Sequence, residues 1–193
     1  MFPGERAYRA ERKAFLATIE SLSHDDLEHG PTLCEGWAPR DVVAHIIGID
    51  SAPVEYVKAL GRISSGNQRI VDGMRALDPD TLLERLRAWA DKPAILSLTA
   101  SYGLLGDLAV HHQDVLRGLG RSRDVPPESA RAILREGVVL GGLKLKDFKV
   151  VPTDTGRALG RGRVVRGTAE ALGLWLAGRR SVEPELDFGP DGK

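Results

Sequence analysis

Apolar positions recur at helical spacing over most of the chain. Tyr8, Phe15, Leu16, Ile19 and Leu22 line one side of a segment from Ala7 to Leu22, with Arg9, Glu11, Arg12, Lys13 and Glu20 largely on the other. That period predicts a first amphipathic helix, punctuated by Ser23-His24-Asp25-Asp26. Breakers then cluster from Gly30 to Pro39, which predicts a structured loop. A second helix is expected from about Pro39 or Arg40, since proline suits a first helical turn and Asp41 complements its positive end. Its stripe of Val42, His45, Ile46 and Ile49 turns a histidine toward the interior. The segment from Ala52 to Leu60 can continue that helix, with a kink or break at Pro53, before a polar connection from Gly61 to Gln68.

Asp78-Pro79 reads as a capping aspartate followed by proline at the first helical position, opening a third helix with Leu82, Leu83, Leu86, Trp89 and Ala90 inward. Lys92-Pro93 ends or bends it. A fourth helix runs from about Tyr102 to Leu119 and stops in Gly118-Leu119-Gly120. Beyond Pro126-Pro127 the character changes. A helix to about Leu140 is followed by two short β-prone runs, Phe148 to Val151 and Arg163 to Val165, and by a helix from Ala169 to Ala177 capped by Thr168. The last residues, from about Glu183, read as frayed. The fold class is therefore mainly α, a four-helix bundle with a small α+β C-terminal extension. The expected division is 1–122 for the bundle, 123–182 for an extension packed on it and 183–193 for a flexible tail.

The chain has 193 residues, 42% of them hydrophobic, which is enough for one sizeable core. Lys plus Arg and Asp plus Glu balance at 27 each, so no excess field draws nucleic acid or an anionic membrane, and neither partner is expected. There is no apolar run long enough for a membrane span and no hydrophobic stretch near Met1 of the kind a signal peptide needs, so the expected compartment is the cytoplasm. The single cysteine, Cys34, excludes an intrachain disulfide and an all-cysteine metal site. Without a visible basic neighbour it reads as a small half-buried thiol. Trp37 reads as a core anchor at the mouth of the second helix.

Chemistry concentrates in Gly106-Asp107-Leu108-Ala109-Val110-His111-His112-Gln113-Asp114, two imidazoles and two carboxylates framed by Leu104, Leu105, Val115 and Leu119. Residues four apart share a helix face, so Asp107 and His111 can act together, and His45 is the candidate third ligand for a divalent cation. Periodicity leaves the choice between the two histidines open, because His112 projects nearer the centre of the apolar stripe. Asp114 either orients a ligating imidazole or is a solvated partner of Arg117.

The segment Thr32-Leu33-Cys34-Glu35-Gly36-Trp37-Ala38-Pro39-Arg40-Asp41-Val42-Val43-Ala44-His45, the Asp107–Asp114 cluster, Thr153-Asp154 and the run from Gly162 to Arg179 together resemble the mycothiol-dependent maleylpyruvate isomerase family, related to the DinB-like four-helix metalloproteins. The resemblance implies a metal, usually zinc, held by His45, Asp107 and His111; beside it, His112 and Asp114 are candidates for positions behind the ligands. The family's isomerases carry glutamate where this chain has Asp107. The resemblance further implies a metal-dependent enzyme that uses mycothiol as thiol cofactor or co-substrate for isomerisation or S-transfer on a small electrophile. An open metal position holds a thiol as thiolate, which supplies a nucleophile without a protein cysteine. Arg40, Arg117 and Arg121 are candidate anchors for anionic groups of the thiol or substrate. The expected partners are these small molecules, and the expected state is a monomer or homodimer. The alternative reading is a non-catalytic DinB-like metal- or ligand-binding stress protein.

Overall fold

A computed structural model describes residues 4–49, 63–93 and 98–189. They form a mainly α protein with a small four-stranded sheet. The chain divides into two compact units: residues up to Ser101 with His111–Ser122, and Tyr102–Val110 with the residues from Arg123 onward. No helix among the described residues is long and apolar enough to cross a membrane.

The first unit holds α1 (Glu5–Glu20), α2 (His24–His29), α3 (Pro39–Ile49), α4 (Ile63–Met74), α5 (Pro79–Asp91) and the C-terminal half of α6 (Ser101–Gly118). Helices α1, α3, α5 and α6 make the bundle, filled by Phe15, Ile19, Val42, Val43, Leu82, Leu86 and Val115. The expected continuation of α3 over 52–60 lies outside the described residues. The expected polar connection to Gln68 is instead the start of α4, which buries Ile70 and Val71 and packs on α3. The short α2 was not expected either. Ser23 caps it by accepting from the Asp26 amide at 3.0 Å, and Leu27 anchors it.

Two charged residues assigned to the outer face of α1 are buried, because α5 and α6 bring partners to them. The Arg12 guanidinium donates to the carbonyls of Trp89 and Ala90, each at 2.9 Å, and stacks on Tyr8 and Trp89. It thereby neutralises the negative C-terminal end of α5. Glu11 meets His112 across the bundle at 2.7 Å.

At the other end of α5, Asp78 accepts from the Thr81 hydroxyl at 2.7 Å and the Thr81 amide at 2.9 Å. These bonds hold its carboxyl below the ordinary value of 3.8. A depressed carboxyl contributes stability that is full above its unfolded value and is lost as the pH falls through its folded value. Asp78→Asn keeps a capping oxygen but does not titrate. The stability advantage of the native protein over this variant, read by urea unfolding, will therefore be present at neutral pH and vanish in acid.

The second unit contains α7 (Pro127–Gly141), a 3-10 turn at Gly142–Lys146, β1 (Phe148–Pro152), β2 (Leu159–Gly160), β3 (Arg163–Gly167), α8 (Ala169–Leu176), a 3-10 turn at Arg180–Glu185 and β4 (Asp187–Phe188). The sheet order is β2-β1-β3-β4, with β1 and β3 parallel and Val150 opposite Val165. The two-residue strands pair antiparallel at the edges. Residues expected to fray beyond Glu183 thus include a strand, held because Phe188 packs edge-on against Trp175 at 5.7 Å. Phe148 meets the same indole at 5.2 Å. Thr168 caps α8 through the Ala171 amide at 3.1 Å. At the far end of α8, Lys144 donates to the Trp175 carbonyl at 2.7 Å, and burial pulls its pKa below 10.5.

Candidate metal centre

The site begins in the loop ahead of α3. The Thr32 hydroxyl donates to the Trp37 carbonyl at 2.8 Å and accepts from the Cys34 amide at 3.1 Å. Gly36 takes a left-handed conformation with φ 75°, which a residue without Cβ adopts freely. The Leu33 amide donates to the Asp114 carbonyl at 3.1 Å, tying the loop to α6. Asp41 turns back to accept from the Ala38 amide at 3.0 Å and starts α3, whose second turn carries His45 inward. His45, at 1% exposure, is the most enclosed of the candidate ligands.

On α6, Asp107 and His111 lie one turn apart on a continuous helix. Of the expected ligands, His45 and His111 lie in the first unit, with ligand atoms within 4.8 Å of each other, and Asp107 lies on the part of α6 that belongs to the second. The imidazoles of His45 and His111 meet edge to face at 4.8 Å between ring centres. The indole of Trp37 lies 5.4 Å from the His45 ring and stacks near-parallel to His111 at 6.1 Å. Its Nε1 donates to Gln68 Oε1 at 3.2 Å, and Gln68 in turn donates to Asp72 at 2.9 Å. Trp37, expected as a core anchor, therefore also walls the two imidazoles and excludes water from one side of them.

Hydrogen bonding separates the two adjacent histidines. Nδ1 of His111 lies 3.0 Å from Asp114 Oδ2. An ionised carboxylate only accepts, so Nδ1 carries the hydrogen, and in the neutral ring the lone pair is then on Nε2. His112 has both nitrogens committed to α1: Nδ1 donates to Glu11 Oε1 at 2.7 Å, and Nε2 accepts from the Thr18 hydroxyl at 2.8 Å. The rings thus face different chemistry although they are neighbours in sequence.

Asp114 is fully buried, and its Oδ2 also accepts from the Cys34 thiol at 3.1 Å. Cys34 Sγ stands 3.5 Å from His111 Nδ1. Nothing in the spacing of the sequence puts Cys34 beside a residue 77 positions away. Arg40 is engaged elsewhere, in an ion pair with Glu28 and hydrogen bonds to the carbonyls of Arg75 and Leu77. Arg121 reaches Ser21 at 3.3 Å and Asp26 at 3.4 Å, and Arg117 is half-buried.

Two imidazole nitrogens and a carboxylate oxygen form a donor set suited to zinc with one open position. Bonds of about 2.0–2.2 Å in a tetrahedral arrangement place ligand atoms roughly 3.3–3.6 Å apart. The donor types present, two imidazoles and a carboxylate, are those that suit a divalent cation.

Residues 8–94 match the family model described as "Mycothiol maleylpyruvate isomerase N-terminal domain". That span includes His45 and ends before Asp107. The fold is similar to the crystal structure of a histidine-to-alanine mutant of the mycothiol-dependent maleylpyruvate isomerase, at 13% identity and a TM-score of 0.62, covering 98% of this chain and 95% of that one. A second crystal structure of the mycothiol-dependent maleylpyruvate isomerase is similar at 15% identity and a TM-score of 0.59, covering 91% of this chain and 88% of that one. No curated protein matches the sequence.

Proposed function

With the chain a member, through residues 8–94, of the mycothiol maleylpyruvate isomerase N-terminal domain family, we propose that it is a mycothiol-dependent isomerase or S-transferase of small electrophilic substrates, working with a divalent cation, zinc by its donor set, at His45, Asp107 and His111. The observation that carries this reading is the approach of His45 and His111, within 4.8 Å, beside the wall formed by Trp37, with Asp107 one turn from His111 on α6.

When bound, the cation supplies a Lewis acid that keeps a small thiol deprotonated at neutral pH. The chain's residues supply the rest. Asp114 holds the Nδ1 hydrogen of His111, fixing the tautomer and raising the basicity of Nε2. Burial of His45 fixes its ring, and the Trp37 indole, held by Gln68, keeps both imidazoles in register. The reaction class is isomerisation of an activated alkene or transfer of sulfur to an electrophilic carbon.

The test is titration of the cobalt-substituted protein with mycothiol. A change in the visible absorption of cobalt, saturating at one equivalent, is expected. A spectrum indifferent to the thiol would overturn the thiol-dependent reading, and failure to take up cobalt would overturn the metal centre itself.

A further inference from the structure

His111 belongs to two donor sets. The second is Cys34, His111 and Asp114, and all three of these residues lie in the first unit. Its edges are short: 3.0 Å from Nδ1 to Oδ2, 3.1 Å from Sγ to Oδ2 and 3.5 Å from Sγ to Nδ1. A tetrahedral cation with a sulfur bond of about 2.3 Å and nitrogen and oxygen bonds of about 2.0–2.2 Å needs edges of roughly 3.3–3.6 Å. Opening the triangle by a few tenths of an ångström admits an ion of zinc's size, and a larger ion such as cadmium needs correspondingly more. Asp114 is inaccessible to solvent and Cys34 half-buried, so the triangle is enclosed but has an edge toward the surface.

We propose that Cys34, His111 and Asp114 form a second metal site, selective for thiophilic cations such as cadmium, whose occupation excludes use of His111 by the first set. Selectivity follows from the thiolate, a soft ligand absent from the first set. Exclusion follows from the ring. A neutral imidazole has one lone pair, on Nε2 when the hydrogen is on Nδ1 and on Nδ1 when the hydrogen is on Nε2. Binding at the second set forms bonds to Sγ, Nδ1 and Oδ2. It releases one proton, from the Cys34 thiol, to solvent, and the imidazole stays neutral by carrying its hydrogen on Nε2. That hydrogen removes the donor which the first set requires. The site thus gives thiophilic cations a way to displace the working cation, a consequence that rests on the function proposed above, whereas the second site itself does not.

The full chain is titrated with Cd²⁺ and the thiolate-to-cadmium charge-transfer band is followed in the ultraviolet. The expected result is a band saturating at one equivalent, abolished in Cys34→Ser, and with affinity weakened at least about tenfold in Asp114→Asn. His45→Ala should keep the band, because His45 belongs only to the first set. In cobalt-loaded protein, cadmium should bleach the cobalt absorption in the native chain and leave it in Cys34→Ser. Alkylation of Cys34 by iodoacetamide, slowed by cadmium, gives a readout on the native chain itself. A cadmium band indifferent to Asp114→Asn, or cobalt retained at full cadmium occupancy, would overturn the proposal. Absence of cobalt binding alongside an intact cadmium band would instead sink the function proposed above and leave the second site standing.

Discussion

Replacement of His45 by alanine is expected to abolish stoichiometric binding of zinc at the first donor set in a chain that remains folded, while cadmium still binds the second set. The first set has three protein donors, and removing one leaves only Asp107 and His111, a turn apart on α6. Two donors on one helix do not enclose a tetrahedral ion, so the loss should exceed the 10–100-fold that follows when only an outer partner of a ligand is removed. Asp114→Asn measures that outer contribution, because it weakens the bond that holds the His111 hydrogen on Nδ1. Asp107→Glu should retain binding, since a longer carboxylate can span the same gap. His112→Ala separates ligation from folding. It leaves Glu11, 2% exposed, without the imidazole it now meets, which costs about 1–3 kcal/mol or more for a buried charged group. The folded fraction of that variant should still bind the cation. Metal content after gel filtration, with isothermal titration of zinc, decides each case. A His45→Ala chain that binds zinc as the native chain does would remove the basis for the metal centre.

The contrast between the two adjacent histidines marks how far periodicity reaches. The helical stripe of α3 is enough to turn His45 inward, since Val42 and Ile46 beside it are buried, although the helix proves buried on every side from Val42 to Gly48 and Ile49 only half-buried. On α6 the same logic ranked His112 above His111 for centrality. Its ring is indeed the more buried, at 0% against 8%. Centrality is not ligation: the partners that occupy His112 come from α1, a hundred residues earlier, and no local pattern announces Glu11 and Thr18 as acceptor and donor for it. Glu11 and Arg12 read as solvated for the same reason. Each is buried only because another helix brings it a partner, an imidazole for Glu11 and the carbonyls that end α5 for Arg12. Arg40, read as a ligand anchor, is engaged in this structure by Glu28 and two backbone carbonyls. Short elements were invisible where pairing makes them: β2 and β4 have two residues each and exist through hydrogen bonds to β1 and β3. Capping chemistry, by contrast, is local, and Asp78 and Thr168 were legible as caps from their immediate neighbours.

The largest effect on stability is expected at the crossing of α7 and α8, from Gly137→Ala. A Cβ at Gly137 would stand 2.8 Å from the Cα of Gly173 and 2.9 Å from its carbonyl carbon. The reciprocal Cβ at Gly173 would stand 2.6 Å from the carbonyl carbon of Ile133 and 2.7 Å from the Cα of Leu134. Both obstacles are backbone, which has no rotamer to escape into, so the added methyl must push the helices apart. Separation unpacks Ile133, Leu134, Leu172 and Leu174, which are 0–5% exposed and form the centre of the second unit's core. Overpacking of this kind costs about 1–3 kcal/mol and sometimes more. Alanine regains about 0.8–1.0 kcal/mol of helix propensity over glycine. Steric cost wins here because the clash is with main chain, and the net loss should be about 2 kcal/mol, a fall in Tm of roughly 4–8 °C for a chain of this size. Gly103→Ala on α6 is the control: a Cβ there meets nothing within 4 Å, so only the propensity gain remains and the variant should be slightly more stable than the native chain. Thermal unfolding of the two variants side by side tests the argument, and the double variant Gly137→Ala/Gly173→Ala should cost less than the sum of its parts, since one separation of the helices accommodates both methyl groups. Equal and opposite shifts are not required. A Gly137→Ala chain as stable as Gly103→Ala would show that the two helices do not meet backbone to backbone.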